Sequence, residues 1–378
     1  MLRFVSFVPH SLNDRENRWK TMELRTFTST TADPVARGRE LGRAFAPQFA
    51  RTAALYLAHF DELGIPAGQA RAIAERSRTA LAAWAPGPAA EADAIADAAQ
   101  IERWRLAAVG ARTEILAAAP PRAVSECSTA VHVGPGEAAE SMQTWDWHDF
   151  LVPEGLLWAF PSEAGRDVKL FTEFGTAAKI GVNSAGLGLH FNILSHMSDS
   201  DAGGVPVHAI ARRILEEAAS IADARRIAAS ATVSASTVLT VFETDPAGSR
   251  AASLELSPAG IGVVEPAADG WLFHTNHFLD EALATGDTMP ADSTTRERFA
   301  HLDAVRESLA GLSPAARALA ACGGQGADAD ICMTPDPALP RIDQWATLLT
   351  IAVDTEGFGL DVYPGRPDEA AAAGLTRF

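Results

Sequence analysis

The order of elements along the sequence predicts an α+β fold, with two antiparallel sheets sandwiched between helical layers. Residues 33–118 show helical spacing and are rich in alanine. After residue 127, short β-prone runs come in groups, and further helical segments separate the groups. Grouped strands favour antiparallel sheets, and a parallel sheet built from alternating strands and helices is the weaker interpretation.

The first helical region divides into three segments. Asp33 and Pro34 mark the start of the first segment, whose large apolar side chains recur near one helix face: Leu41, Phe45, Phe49 and Leu55. Each of the next two segments opens with a proline, which is well tolerated in the first helical turn. Pro120 and Pro121 end the last helix, because proline cannot continue the hydrogen-bond ladder.

Period-two patterns and turn residues predict the strands that follow. The first group is "STAVHVG", "LLWAF", "VKLFTEFG", "KIGVN" and "GLGLHFNIL", and it precedes the helical run "VPVHAIARRILEEAASIADARRIAAS". A second group, "TVLTVFET", "AASLELS", "GIGVVEP" and "GWLFHTNHF", predicts a meander. The segment "TTRERFAHLDAVRESLAGL" is helical, and "WATLLTIAVD" with "GFGLDVYPG" predicts a closing hairpin.

Composition narrows the functional class. The 378 residues include 31 basic and 48 acidic side chains, a formal net charge of −17, which argues against nucleic acid or an anionic membrane as a partner. The three cysteines, at positions 127, 322 and 332, form neither a disulfide framework nor a zinc pattern. We therefore expect a reducing, cytoplasmic setting, no membrane span and no cofactor. Residues 1–22 are interpreted as an extension.

Cys127 is the first candidate for chemistry. It lies between a helix and a strand, behind two prolines, and the small residues Ser128 and Thr129 follow it. A return strand would bring Asp146 close to it. The alternative is a buried structural thiol, which is the common use of a free cysteine.

Asp146 lies between Trp145 and Trp147. On a strand the two indoles share one face and the carboxylate lies on the other. An aspartate in an apolar strand is costly to bury without a partner. Two interpretations of Asp146 stay open. It is a structural residue, either in a turn or in a salt bridge, or it is a carboxylate that fixes a positively charged amine.

The stretch "FHTNHF" supplies a third group of polar residues. If it continues as a strand, His274 and Asn276 share a face and His277 opposes them. A metal site is disfavoured because no third ligand has matching spacing, so no metal is predicted. Asn276 is interpreted as an amide donor to an oxyanion in acyl transfer.

Two further patterns were weighed. A papain-type pair would join Cys127 to a histidine, and the candidates are His132, His148, His190 and His277, with nothing to select among them. The two glycines of "NSAGLGLHFN" lack the spacing of a nucleotide-binding motif and are interpreted as turn glycines.

With these residues in place, the sequence resembles the acyl-CoA:6-aminopenicillanic acid acyltransferase family and, more distantly, conjugated bile-acid hydrolases. The resemblance rests on "GRELGRAF", Cys127, Asp146, "GVNSAGLG" and "HTNHF", and it extends to "YPGRP" at 363–367. It implies an αββα sandwich of the N-terminal-nucleophile hydrolase class. It also implies a precursor that cuts itself in front of the nucleophilic cysteine.

Carried onto this chain, the cut falls between Glu126 and Cys127. A helical α subunit, 23–126, and a β subunit, 127–378, would then form one αββα domain. By resemblance, Asp146 orients the new α-amino group and Asn276 stabilises the oxyanion. Asn192 matches a second polar asparagine and is assigned to substrate binding.

The sequence departs from the family pattern at two places. Glu126 stands where the family usually has glycine before the cysteine, which puts processing in doubt. The family's arginine upstream of the "ATL" strand is replaced by Gln344, so either Arg341 takes its place or the site lacks that cation. Arg296 and Arg298 are interpreted as structural ion-pair partners.

The predicted function is a self-processing cysteine amidohydrolase that cleaves a small N-acyl amide through a Cys127 thioester. An aminoacyl or β-alanyl acyl group is compatible with the acidic composition. The alternatives are an acyltransferase that passes the acyl group to an amine and an unprocessed scaffold that binds a small molecule. The expected partners are the substrate and the chain's own two fragments, and homo-oligomer formation stays open.

Overall fold

A computed structural model describes residues 22–119 and 127–378 of the chain. Its strands are β1 (Glu23–Thr28), β2 (Ser128–His132), β3 (Glu140–Trp147), β4 (Glu154–Pro161), β5 (Asp167–Glu173), β6 (Ile180–Asn183), β7 (Leu187–Ile193), β8 (Thr237–Asp245), β9 (Gly248–Ser257), β10 (Gly260–Val264), β11 (Trp271–His274), β12 (Ala346–Asp354), β13 (Gly359–Tyr363) and β14 (Thr376–Arg377). Its helices are α1 (Pro34–Ala44), α2 (Ala46–Glu62), α3 (Ala67–Trp84), α4 (Pro86–Ala98), α5 (Arg103–Gly110), α6 (Arg112–Leu116), α7 (Val207–Glu217), α8 (Ile221–Ala229), α9 (Glu281–Ala284), α10 (Thr295–Val305), α11 (Pro314–Ala321) and α12 (Pro367–Ala373).

The strands form two sheets. The larger has the order β1-β4-β5-β6-β7-β8-β9-β10, and the smaller has the order β11-β2-β3-β12-β13-β14. The predicted hairpin of β12 and β13 is present, and β8, β9 and β10 form the predicted meander. The expectation that β11 continues this meander is wrong, because β11 crosses to the smaller sheet and pairs with β2.

Apolar side chains arrange these elements in four layers. Residues of α1, α2, α4, α7 and α8 cover the outer face of the larger sheet. The inner faces of the two sheets meet in a core that contains Trp145, Phe171, Phe242 and Leu349. Helices α10, α11 and α12 cover the outer face of the smaller sheet. The predicted αββα sandwich of α+β class is therefore the observed fold.

The part of the chain before residue 120 is helical as predicted, with one correction. Strand β1 was not predicted, and it pairs in parallel with β4 at the edge of the larger sheet. Met22, assigned to the extension, is buried and belongs to the core. A side chain at Gly155 would come within 2.8 Å of the Met22 sulfur, so glycine permits this close packing.

Glu114 joins α6 to the start of α7. Its Oε1 accepts a hydrogen bond of 2.8 Å from the backbone N–H of Val207, whereas Oε2 has no partner among the described residues. Burial raises the pKa of this carboxyl to about 7. Glu114 thus holds a proton in the folded chain at pH values where an unfolded chain has lost it.

This shift makes the stability contribution of Glu114 depend on pH. The contribution is present below the ordinary glutamate pKa and is lost as the pH rises through about 7. We expect Glu114→Gln, which keeps the acceptor for Val207, to gain about 2–3 kcal/mol over wild type between pH 5 and pH 8. Urea unfolding at both pH values measures the change. A difference that does not vary with pH would contradict the assignment, and the exposed Glu297→Gln serves as control.

Candidate active site

Cys127 immediately precedes β2 and is 2% exposed. The alternation of β2 places it on the face of Thr129 and Val131, which points into the space between the sheets. Pairing of Ser128 with Thr144 brings the end of β3 alongside. The Sγ of Cys127 consequently lies 3.9 Å from the backbone carbonyl oxygen of Asp146. The structure brings together the two residues that the sequence placed in one site.

Asp146 is fully buried. Its neighbours Trp145 and Trp147 belong to the core between the sheets, so strand alternation places the carboxylate on the opposite face of β3. Its backbone pairs with Thr347 of β12, next to a shift in register. Three adjacent strands therefore fix Asp146 beside the nucleophile candidate.

Two donors hold the backbone carbonyl of Cys127. The Nδ2 of Asn192 on β7 lies 3.2 Å from this oxygen, and the Nη1 of Arg298 on α10 lies 2.7 Å from it. The donors come from opposite layers of the sandwich. These hydrogen bonds therefore fix the main chain of Cys127. They do not involve its thiol, which is the group that can take part in chemistry.

Arg298, interpreted from the sequence as a structural ion-pair partner, lies in the site itself. It is fully buried, and besides Cys127 it donates to Ser128 Oγ and to Asn276 Oδ1, both at 3.0 Å. These hydrogen bonds join Arg298 to the nucleophile candidate, which the ion-pair interpretation did not include. A signal was present in the sequence: Arg298 lies three residues after Thr295 and four before Leu302, so it shares the buried face of α10.

Asn276 lies beyond the end of β11, which stops at His274. The expectation that His274 and Asn276 share a strand face is therefore wrong. The backbone N–H of Asn276 donates to Thr295 Oγ1 at 2.7 Å, and its Nδ2 donates to the carbonyl of Ile193 at 2.9 Å. Arg298 donates to Asn276 Oδ1, so hydrogen bonds hold both the oxygen and the nitrogen of the side-chain amide.

Asn192, assigned from the sequence to substrate binding, is held by four hydrogen bonds within the protein. Its Nδ2 donates to the carbonyls of Cys127 and His274, at 3.2 and 3.3 Å. Its Oδ1 accepts from Thr129 Oγ1 at 2.8 Å and from Gln143 Nε2 at 3.2 Å. These four contacts use the donors and acceptors of the amide and hold the main chain of Cys127, and substrate binding by Asn192 stays a prediction.

Arg341 and Gln344, the two residues considered for the family's arginine position, make contacts with residues other than Cys127. The exposed guanidinium of Arg341 pairs with Glu62 and lies 4.3 Å from the centre of the Phe150 ring. The Gln344 side chain donates to the carbonyl of Leu339 at 2.8 Å. Of the two alternatives left open for the family arginine, neither is tested by these contacts, and the cation that contacts the Cys127 carbonyl is Arg298 of α10.

Each of the four histidines weighed as a papain-type base is engaged elsewhere. His148 Nδ1 lies 2.8 Å from the Gln344 carbonyl, and His190 Nδ1 lies 3.1 Å from Gln143 Oε1. His277 Nδ1 lies 3.0 Å from Thr295 Oγ1, and the His132 ring packs on Trp271. Burial lowers the pKa values of His148 and His190 to about 3, so both are neutral. Within residues 22–119 and 127–378, no group of three His, Cys, Asp or Glu side chains is arranged to hold a metal.

A cavity of about 310 Å³ opens beside these residues. Trp147 and Trp345 form an aromatic wall, and Ile193, which follows Asn192 in the chain, also lines the cavity. Residues 113–119, which lead towards position 127, supply another wall. Among the residues that the structure describes, Arg112 and Asp199 are the charged side chains of the lining. The cavity therefore combines aromatic and apolar surface with several polar side chains.

A buried cluster of charges lies behind the aromatic wall. Glu173 accepts from Arg112 Nη2 at 3.0 Å, from Lys179 Nζ at 3.1 Å and from the hydroxyl of Tyr56. The Arg112 guanidinium lies 4.2 Å from the centre of the Trp147 ring, and Lys179 Nζ lies 4.7 Å from that of Trp145. Burial alone would raise the pKa of Glu173, but the two cations outweigh it and hold that pKa below its usual range.

Burial and the neighbouring charge of Arg112 lower the pKa of Lys179, whereas Glu173 and Cys127 raise it, and the resulting pKa is about 8. Burial alone would lower the pKa of Arg112. Glu173 is the main group that opposes this effect, Cys127 adds to the opposition, and the pKa of Arg112 is raised as a result. The cluster is therefore electrostatically coupled to the nucleophile candidate.

Two predictions cannot be compared with these contacts. Glu126, and with it the predicted cut in front of Cys127, lies outside the described residues, as do residues 1–21 of the predicted extension. Within the described ranges, every helix is too short or too polar to cross a membrane.

The sequence matches the family described as acyl-coenzyme A:6-aminopenicillanic acid acyl-transferase over residues 142–317. This match includes Asp146, Asn192, Asn276 and Arg298 and begins after Cys127. A curated relative, the acyl-coenzyme A:6-aminopenicillanic-acid-acyltransferase 40 kDa form of Emericella nidulans, is 28% identical over 194 residues. That alignment covers 49% of this chain and 52% of the relative, so the chain spans about half the length of the relative.

Solved structures similar to this chain include penicillin V acylase from Agrobacterium tumefaciens, at 17% identity and a TM-score of 0.45. The match covers 63% of this chain and 83% of that protein. A mutant conjugated bile acid hydrolase from Clostridium perfringens matches at 10% identity and a TM-score of 0.38, covering 62% of this chain and 89% of the other. The family match and the curated relative agree: residues 142–317 of this chain are similar to the acyl-coenzyme A:6-aminopenicillanic acid acyl-transferase family.

Proposed function

We propose that the chain is a self-processing cysteine amidohydrolase in which Cys127 is the nucleophile. One observation carries the proposal: Asn192, Arg298 and Asn276 form a continuous hydrogen-bonded group on the backbone of Cys127, beside a cavity. A structural thiol would need no such fixation of its main chain. A reacting residue benefits from it, because a nucleophile held in position avoids much of the entropic cost of the reaction.

Cutting the bond between Glu126 and Cys127 would supply the base that the histidines do not. An ordinary thiol has a pKa near 8.5 and is mostly protonated at pH 7. A free α-amino group has a pKa of about 7.7–8.0 and lies on the same residue, so it can accept the thiol proton. Asp146, whose backbone lies at the nucleophile, would orient the resulting ammonium group.

The reaction would then proceed in two stages. The thiolate attacks the amide carbonyl, the C–N bond breaks, and the amine leaves with the proton that the α-amino group had taken. Water attacks the thioester, which releases the carboxylic acid and restores the thiol. Both stages pass through an oxyanion. Asn276 is proposed as its donor, and Arg298, which holds Asn276 Oδ1, is proposed as a positioning residue.

The cavity supports a small amide with an apolar or aromatic part. Trp147 and Trp345 offer flat surfaces, and a volume of about 310 Å³ suits a small ligand. The aminoacyl and β-alanyl groups considered from the sequence would have to place an ammonium group near Asp199, which is the acidic residue of the lining. The size and the aromatic wall are the better-supported features.

Intact-mass analysis under denaturing conditions tests the mechanism. We expect the 39.8 kDa chain to give two fragments, one ending at Glu126 and one beginning at Cys127. Turnover by an unbroken chain would contradict the proposal, because the α-amino base would not exist. Glu126→Gly is the matched variant: if the bulky charged residue slows the cut, glycine at this position should speed it.

Acyl transfer is the second candidate, and the name of the family and of the curated relative favours it. The same thioester would then be attacked by an amine instead of water. The two candidates differ in the product formed when an acceptor amine is added. A rise in the new amide at the expense of the free acid indicates acyl transfer, and an unchanged yield of acid indicates hydrolysis.

A further inference from the structure

Arg112 has hydrogen-bond donors that nothing in the described chain uses. Its side chain is fully buried, and Nη2 is satisfied by Glu173 at 3.0 Å. Neither Nε nor Nη1 has a hydrogen-bond partner among residues 22–119 and 127–378. The same residue lies in the lining of the cavity of about 310 Å³. The buried guanidinium of Arg112 therefore lies at the cavity wall with two donor atoms, Nε and Nη1, that have no acceptor among the described residues.

This arrangement is unfavourable unless something binds there. A buried donor without an acceptor loses its hydrogen bonds to water and gains nothing in return, and the loss is greater for a charged group. The stacking of Arg112 on Trp147, at 4.2 Å, contacts the face of the guanidinium and leaves its edge without an acceptor. The free edge therefore favours an anionic oxygen, for which guanidinium is the strongest protein donor.

The local charge points the same way. Arg112 and Lys179 both contact Glu173, so two cations share one carboxylate at this end of the cavity. Lys179 is satisfied by Glu173 at 3.1 Å and by His208 Nε2 at 3.4 Å. Of the two cations, only Arg112 both lines the cavity and keeps unused donors. A ligand that brings a negative charge would balance the cluster.

We propose that Arg112 forms an anion-binding subsite in this cavity, which takes the carboxylate of an acidic amide substrate. The inference deepens the proposed function, on which it rests for the identity of the ligand as an amide. It assigns part of substrate recognition to α6, on the other side of residue 127 from the family region. The fragment before Cys127 would then have to stay bound after processing for acidic substrates to be recognised.

Calorimetric titration with two matched probes tests the subsite without any need for turnover. Phenylacetate and phenylacetamide have the same ring and nearly the same shape, and they differ in charge. We expect wild-type protein to bind phenylacetate at least about tenfold more tightly, the size expected for one charge-assisted hydrogen bond. Equal affinity for the two probes, or no binding of phenylacetate, would overturn the proposal.

Two variants locate the effect. Arg112→Met should bring the two affinities together, whereas Lys179→Met removes a neighbouring cation that does not line the cavity and should keep most of the preference. Equal loss in both variants would show a general effect of charge and would contradict a subsite at Arg112. Arg112→Lys keeps the charge and guards against a fold failure of Arg112→Met, and it should retain part of the preference.

The outcomes separate this proposal from the proposed function. A chain that is cut and cleaves amides but binds the acid and the amide equally would contradict only the subsite. A chain that prefers phenylacetate through Arg112 but is never cut would keep the subsite and contradict the processed-nucleophile mechanism.

Discussion

Cys127→Ala is expected to remain a single 39.8 kDa chain and to lose amide turnover by a factor of about 10⁴ or more. The thiol serves twice in the proposed mechanism, first in the cut that releases its own α-amino group and then in attack on the substrate. Alanine abolishes both steps, and the backbone contacts from Asn192 and Arg298 do not depend on the side chain, so the fold should persist. Intact mass and initial rates measure the two consequences separately.

Cys322→Ala is the matched control, because Cys322 is also a buried thiol but caps α11 in the outer core. It should be cut and should turn over like wild type. A Cys127→Ala chain that is still cut would place the processing chemistry elsewhere. One that stays intact yet cleaves amides at the wild-type rate would remove Cys127 from the reaction altogether.

The fold was predictable because short β-prone runs come in groups between helical regions. Strands β3 and β7 are buried along nearly their whole length, and the grouping of strands selects antiparallel sheets. Strand β1 was not predicted because its sequence, "ELRTFT", is short, mostly polar and followed by a long helical region. Its pairing is with β4, more than a hundred residues away, and local propensity carries no information on such a partner.

The site was predictable where its members are neighbours in the chain. Cys127 and Asp146 lie on consecutive strands, so a hairpin brings them together. Arg298 is 171 residues from Cys127, and its role depends on how α10 packs on the smaller sheet. The cluster of Arg112, Glu173 and Lys179 joins three elements, and a sequence shows only that each residue is charged.

Asn192 shows what a sequence does not reveal about a polar residue near a predicted active site. A polar residue beside a predicted active site is easily assigned to the substrate, because the sequence does not reveal how many of its hydrogen bonds are already used. Only the structure shows that its amide is committed to Cys127, His274, Thr129 and Gln143. Counting donors and acceptors separates a positioning residue from a binding one.

Asn276→Ala is expected to lower kcat by about 10²–10³ with a small change in KM, because an oxyanion donor acts mainly in the transition state. Arg298→Met should lower kcat by a similar order, since it releases both the Cys127 carbonyl and Asn276 Oδ1. If the two residues act as one unit, the double variant should lose little more than either single variant. Steady-state kinetics on the four proteins measures this coupling.

Arg296→Met is the control that separates position from charge, since Arg296 is an exposed residue of the same helix. It should leave kcat within about twofold of wild type. Arg298→Lys keeps the charge but not the planar fork that reaches Cys127, Ser128 and Asn276 together, so it should recover only part of the rate. Additive losses in the double variant would mean that Arg298 and Asn276 act separately, and an Arg298→Met protein with normal kcat but reduced thermal stability would reduce Arg298 to a structural residue.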